Sequence, residues 1–346
     1  MHHSPSPVEP VLDPQQRTSF PADRRRRRSI SVIICTYTDE RWDDLVAAVE
    51  SLRCQGEKAD EIILVVDHNN ALLDRVRAEF TEATVVANVG ERGLSGARNS
   101  GIAAASGEIL VFLDDDATAE PDWLERLVTP FEDEQVLGVG GAAVPSWSGT
   151  APAWFPSEFL WVVGCSYTGM PAEIAKIRNV MGCNMALRAR VFSEVGGFRS
   201  GIGRVGKHPL GCEETELCIR ASQHDPDGIF LFHPGAVVRH RVPDGRARMR
   251  YFGSRCYAEG ISKALVSKLV GAGDALASER NYLTRTLPAG IRFRLLSRTP
   301  APGRFRQAGA IVAGVGMTAA GYARARTTSA VPAPRASSAP ILAEVL

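Results

Sequence analysis

Gly107-Glu-Ile-Leu-Val-Phe-Leu-Asp-Asp-Asp116 decides how this chain is read. A short, wholly apolar run between polar residues predicts a strand buried on both faces, the habit of parallel sheets. It ends in three carboxylates, and Asp114 and Asp116 fall on one face because side chains in a strand alternate. Two carboxylates at the C-terminal edge of a sheet can hold a divalent cation, and that edge is where open α/β sheets bind ligands. A cation there would clamp a diphosphate leaving group, so the triplet points to a nucleotide-linked substrate. Taken alone, a solvated acidic loop is the simpler reading, and the surrounding chain has to decide.

Upstream, residues 29–36 form a second apolar run, followed by Trp42, Leu45, Val46, Val49 and Leu52 at helical spacing. Further strands are predicted at 61–67, 84–87 and 136–140, and helices at 72–80, 94–105 and 121–131. Strands alternating with helices of about 10 to 15 residues imply βαβ units, hence an α/β fold with a mostly parallel sheet and helices on both faces. The second half is less regular. Residues 145–180 place Trp147, Trp154, Phe155, Phe159, Trp161 and Tyr167 among prolines and glycines, which fits either aromatic platforms for sugar rings or a plain core cluster. Strands follow at 184–187, 229–232 and 236–240, helices at 189–195 and 213–223, a glycine-rich span at 196–211, and a long helix at 248–269.

The net charge of +1 conceals an asymmetry. From Arg280 onward ten arginines face one acid, Glu344, so a basic tail follows an acidic body. Such a tail suits an anionic membrane surface better than nucleic acid. Arg24 to Arg28 form a second basic cluster at the end of a polar leader, read as a solvated run or a lipid anchor. Seven cysteines with no CxxC pair and no apolar signal segment predict a reduced, cytoplasmic protein. The apolar stretch 308–323 is broken by four glycines and is short of the roughly 20 residues a bilayer crossing needs. It predicts an interfacial segment or a helix packed on the body. The organisation expected is a disordered basic leader (1–28), a catalytic domain (29–245), a helical basic extension able to meet a membrane (246–326) and a disordered tail (327–346).

Three βα junctions carry polar groups suited to one nucleotide diphosphate. Thr36 and Tyr37 end the first strand, Asp67 the second, and the aspartate triplet the fourth. Arg98 and Asn99, on the helix before the triplet, can reach the nucleotide or orient the aspartates. Downstream, Glu213 and Glu214 open a helix, where acids suit the dipole but can also take the proton of an attacking hydroxyl. His240 ends a strand with an imidazole able to complete a cation site made of carboxylates.

In this order the segments Ser31-Val-Ile-Ile-Cys-Thr-Tyr37, Glu61-Ile-Ile-Leu-Val-Val-Asp67, Ala97-Arg-Asn99, Gly107 to Asp116, Gly182-Cys-Asn-Met-Ala-Leu-Arg188, Val195-Gly-Gly-Phe198 and Glu213-Glu-Thr-Glu-Leu-Cys-Ile-Arg220 resemble the family 2 glycosyltransferases of the GT-A fold. The resemblance covers residues 29–242. It implies inverting transfer from a nucleoside-diphosphate sugar to an acceptor hydroxyl, with Mg²⁺ or Mn²⁺ on the diphosphate. It also implies Asp116, with Asp114 and His240, as metal ligands, Asp115 with Thr36, Tyr37, Asp67, Arg98 and Asn99 at the nucleotide sugar, and Glu214, beside Glu213, as base. Two positions depart from the family pattern: Glu214 stands where an aspartate is usual, and His68 replaces the second aspartate after the second strand. The segment 250–263 resembles members that act on lipid-linked or cell-envelope acceptors, which agrees with the basic tail.

Two rival readings differ in what they require. A catalytically silent nucleotide-sugar binder or scaffold would account for the departures at Glu214 and His68. A sugar nucleotidyltransferase would need a glycine-rich basic loop after the first strand, which residues 36–41 lack.

Overall fold

The parallel half of the sheet comes from β1 (Ile30–Thr36), β2 (Glu61–Val66), β3 (Thr84–Ala87) and β4 (Ile109–Asp114), in the order β3-β2-β1-β4. These are seen in a computed structural model that describes residues 27–203, 210–271, 273, 277–297 and 302–327. Helices α1 (Trp42–Arg53), α2 (Asn70–Glu79) and α3 (Leu94–Ala104) make the crossovers. Alternation along β1 builds a core on each face. Ile30, Val32 and Ile34 pack with Leu45 and Val49 of α1 and Leu72 and Val76 of α2, while Ile33 meets Ala97 and Ile102 of α3 on the other side. The chain runs outward from β1 to β3 and then returns to place β4 on the opposite side of β1. That reversal leaves a crevice at the C-terminal ends of β1 and β4.

The second half adds β5 (Ala117–Ala119), α4 (Trp123–Val128), β6 (Val136–Trp147), β7 (Ala175–Ile177), β8 (Asn184–Arg188), α5 (Ala189–Val195), α6 (Glu213–His224) and β9 (Ile229–Val242). Here antiparallel pairing enters. β8 lies antiparallel between β4 and β6, β6 and β9 are parallel, and β5 and β7 pair antiparallel with β9. The predicted strands at 229–232 and 236–240 are one strand, β9, which shifts register against β6 between Gly141 and Ala142. Strands as short as β5 and β7 carry no readable period.

Helix α7 (Met249–Val270) begins the extension, followed by α8 (Ala277–Asn281), a π-helical turn (Tyr282–Thr286), α9 (Leu287–Leu296) and α10 (Arg304–Thr327). The glycine-broken stretch 308–323 lies in α10 and packs on α7, and at Gly321, as at Gly260 of α7, the contact requires glycine. A Cβ on Gly321 would sit 2.0 Å from the Tyr257 carbonyl oxygen, and one on Gly260 2.0 Å from that of Thr318. The two backbones therefore touch where only glycine fits. No helix among the described residues is long and apolar enough to cross a membrane.

The aromatic residues of 145–180 form a core cluster. Phe155 and Phe159 are buried against Phe252 of α7, Trp154 meets Phe252 edge-on, and the Trp161 indole donates to the Tyr282 hydroxyl at 3.2 Å. Of the basic cluster Arg24 to Arg28, Arg27 pairs with Glu57 and Asp60, and Arg28 with Glu134. Arg24 to Arg26, with the rest of the leader, residues 204–209 of the glycine-rich span and the tail from 328 lie outside the described residues.

Candidate active site

The crevice between β1 and β4 opens into a cavity of about 260 Å³. Thr36 and Tyr37 at the end of β1, Asp67 just after β2, and Asp114 and Asp115 at the end of β4 line it, with Arg41. Asp67 is held in place, since its Oδ1 accepts from Asn88 Nδ2 at 2.6 Å and its Oδ2 from the Gly93 amide at 2.9 Å. The cap of α2 is Asn69, whose Oδ1 accepts from the Leu72 amide. His68 follows with φ of 49°, one of two non-glycine residues with positive φ among the described residues.

Strand β5 explains how Asp116 meets His240. Ala117 is the ladder partner of His240 on β9, and the Arg241 amide donates to the Asp116 carbonyl at 2.8 Å. This brings His240 Nε2 to 3.2 Å from Asp116 Oδ1. One ligand atom each from Asp114, Asp116 and His240 then lies within 4.8 Å of the others.

Arginines surround the triplet. Arg41 Nη1 donates to Asp115 Oδ1 at 2.5 Å and its Nη2 lies 3.2 Å from Asp116 Oδ2, with Arg246 3.5 Å from the same oxygen. Burial pushes Asp116 up, but the charges of His240, Arg41 and Arg246 outweigh it and hold this carboxyl far below the usual range. Asp115 lacks that excess of cations, so burial raises it to about 6 against the pull of Arg41. His240 shows the reciprocal effect: burial pulls it down, yet the Asp116 charge lifts it to about 10.

Arg98 is a buried bridge. Its Nη1 donates to Glu213 Oε1 at 3.0 Å, and its Nη2 to the Gly182 carbonyl at 2.8 Å, 3.5 Å from Asp114 Oδ1. Glu213 at the start of α6 is thereby tied to the end of β4. Asn99 points elsewhere and clamps the backbone of Phe198, donating to its carbonyl at 2.8 Å and accepting from its amide at 2.9 Å. Glu214 is half-buried beside Glu213, and burial, then the Glu213 charge, pushes its carboxyl up to about 8. Cys212, just before this pair, has φ of 73°, so the α6 start stores backbone strain.

Buried side-chain oxygens without a hydrogen-bond partner are uncommon in folded proteins. Among the described residues they are Thr36 Oγ1, Asp115 Oδ2, Asp116 Oδ1 and Glu213 Oε2, and all four belong to this site. Asp116 Oδ1 meets only the His240 imidazole, at 3.2 Å, and lies beside the Asp114 carboxylate, a donor set that fits a divalent cation. Arg41 and Arg246 escaped sequence reasoning. Arg41 had a signal, as the one cation in the junction after β1, whereas Arg246 sits in a basic run with nothing to mark it.

The family model for glycosyl transferase family 2 matches residues 31–196. A glucosyl-dolichyl phosphate glucuronosyltransferase of Haloferax volcanii is 34% identical over 244 residues, 69% of this chain and 78% of that protein. The succinoglycan biosynthesis protein ExoM of Rhizobium meliloti is 28% identical over 240 residues, 67% of this chain and 72% of that protein. Among solved structures, GalNAc-T7 with UDP, GalNAc and Mn²⁺ aligns with 80% of this chain and 59% of its own, at 17% identity and a TM-score of 0.49. On the strength of the family match and of the 34% identical relative, this chain belongs to glycosyl transferase family 2 and is a glycosyltransferase.

Proposed function

We propose that the enzyme transfers a sugar, with inversion, from a nucleoside-diphosphate sugar to the hydroxyl of a lipid-linked or cell-envelope acceptor, using Mg²⁺ or Mn²⁺. The observation that carries this reading is the convergence of Asp114, Asp116 and His240, one ligand atom each within 4.8 Å of the others, beside buried oxygens whose hydrogen-bonding capacity is unmet, at the switch point of the sheet. Asp114, Asp116 and His240 would hold the cation, which supplies Lewis-acid stabilisation to a departing diphosphate. Holding it would require a neutral imidazole, so His240 would have to give up the proton that Asp116 favours. Thr36, Tyr37, Asp67 and Asp115 line the donor cavity, with Asp67 oriented by Asn88 and the Gly93 amide. Arg98 acts by aligning Glu213 with Asp114, and Asn99 by holding the Phe198 loop behind it.

Glu214 is the base. It takes the proton of the acceptor hydroxyl as oxygen attacks the anomeric carbon from the face opposite the leaving diphosphate, which gives inversion. A carboxyl raised to about 8 suits that task better than an ordinary one, because its basicity is closer to that of the proton it must accept. Residues 29–245 form the transferase domain. Residues 246–326 form a basic extension that places it at the inner face of a membrane. The relative that acts on a dolichyl phosphate supports the lipid-linked acceptor.

The test is a panel of nucleotide sugars with Mn²⁺ or Mg²⁺, read by release of nucleoside diphosphate and by the anomeric configuration of the product. Turnover of one donor with inverted configuration is expected. Retained configuration, or turnover unaffected by EDTA, would overturn the mechanism.

A further inference from the structure

We propose that the outer face of α9, continued by the first turn of α10, docks on an anionic phospholipid bilayer. This names the surface behind the membrane placement proposed above, and rests on that reading. Phe293 and Leu296 are 70% and 68% exposed, Leu295 is 51% exposed, and Phe305 at the start of α10 is 61% exposed. Positions 289, 293 and 296 form one helical column and 288, 292 and 295 the next, so these apolar side chains share a face with the exposed Arg292. The orientation is not accidental. On the opposite side of α9, Arg294 is buried and holds Glu158 with two bonds of 2.7 and 2.8 Å, while its Nε donates to Gln307 of α10 at 2.8 Å. This anchor forces Phe293, Leu295 and Leu296 outward and keeps Phe305, two residues from Gln307, on the adjoining turn.

Charge selects the occupant. No acid occurs between Glu279 and Glu344, whereas Arg292 on this face, Arg306 next to Phe305 and Arg285 on the turn before α9 are exposed. Large apolar and aromatic side chains interleaved with arginines suit an interface of lipid headgroup and acyl chain. The same surface on a second copy would bring like charges together. At ten residues α9 is roughly 15 Å long, so it lies in the interface and does not span it.

Flotation of the full-length protein with phosphatidylglycerol-containing vesicles and with pure phosphatidylcholine vesicles tests this. Binding to the anionic vesicles and weaker binding to the neutral ones are expected. Phe293→Ser with Leu296→Ser should reduce the anionic binding by roughly tenfold or more. Arg292→Gln should reduce it about fivefold, an effect that high salt mimics. Donor hydrolysis in vesicle-free buffer and the melting temperature should stay as in the parent, which separates failure of docking from failure of the transferase assignment. Absence of parent binding to anionic vesicles, or equal binding by the Phe293/Leu296 variant, would overturn the proposal. So would a dimer in sedimentation that this variant dissolves, because the occupant would then be a second copy.

Discussion

The carboxylate site at the end of β4 and the Glu158–Arg294 pair under the extension both bury charge, and they resolve it in opposite ways. Arg294 and Glu158 meet in two parallel bonds, and the guanidinium is completed by Gln307 and the Gly290 carbonyl. At the site, three cationic side chains crowd Asp116, yet four buried oxygens there have no hydrogen-bond partner. A satisfied pair holds elements together, and an unsatisfied one is held ready for something else. On the proposed function the first belongs to stability and the second to chemistry, a distinction that mutation can break.

The largest effect is expected from Asp116→Asn, which should lower transfer about 10⁴-fold, several kcal/mol of transition-state stabilisation. The melting temperature should fall as well, since His240, Arg41 and Arg246 stabilise the ionised carboxyl, but the fold should persist at low temperature because Arg41 keeps Asp115 and His240 can become neutral. Glu214→Gln comes next, with kcat down about 10³-fold and donor binding unchanged. Parent-level turnover in either variant, measured as diphosphate release, would remove that residue from its role. A collapse of the fold in Asp116→Asn would place the triplet with the structural pairs.

Arg294→Met should do the reverse. It strands the Glu158 carboxylate under α9 and should destabilise the protein by about 3 kcal/mol or more in denaturant melts. Turnover at low temperature, where the protein remains folded, should match the parent. Loss of turnover by folded protein would mean that the extension takes part in the reaction.

The same contrast explains what could be read from the sequence. Residues 30–116 were legible because each βα unit is local: a buried strand is wholly apolar, a helix repeats its stripe, and the site residues sit at the strand ends. His240 was legible as a strand end, although its placement beside Asp116 depends on β5, three residues too short to carry a pattern. Arg98 stood out next to the triplet's strand, but its bridge to Glu213 spans 115 positions and leaves no local mark. In residues 145–180 the aromatics fit two readings, since burial was decided by Phe252 and Tyr282, which lie about a hundred residues downstream. The antiparallel insertion of β8 was hidden for a related reason. A strand buried on both faces looks the same in either direction.

The smallest effect, a shift in a pH profile, discriminates most finely between the two acids of α6. Glu214 is raised to about 8 by burial and then by the charge of Glu213. A base works as the carboxylate, so kcat at saturating donor should climb about tenfold per pH unit below 8 and level off above it. Glu213→Gln removes the neighbouring negative charge and leaves Arg98 without its ion-pair partner there, and both changes favour ionised Glu214. The climbing limb should therefore move to lower pH while the plateau persists. If instead the plateau is lost and the limb does not move, Glu213 is the base and Glu214 its neighbour, and the buried orphan Glu213 Oε2 becomes the atom that takes the acceptor's proton.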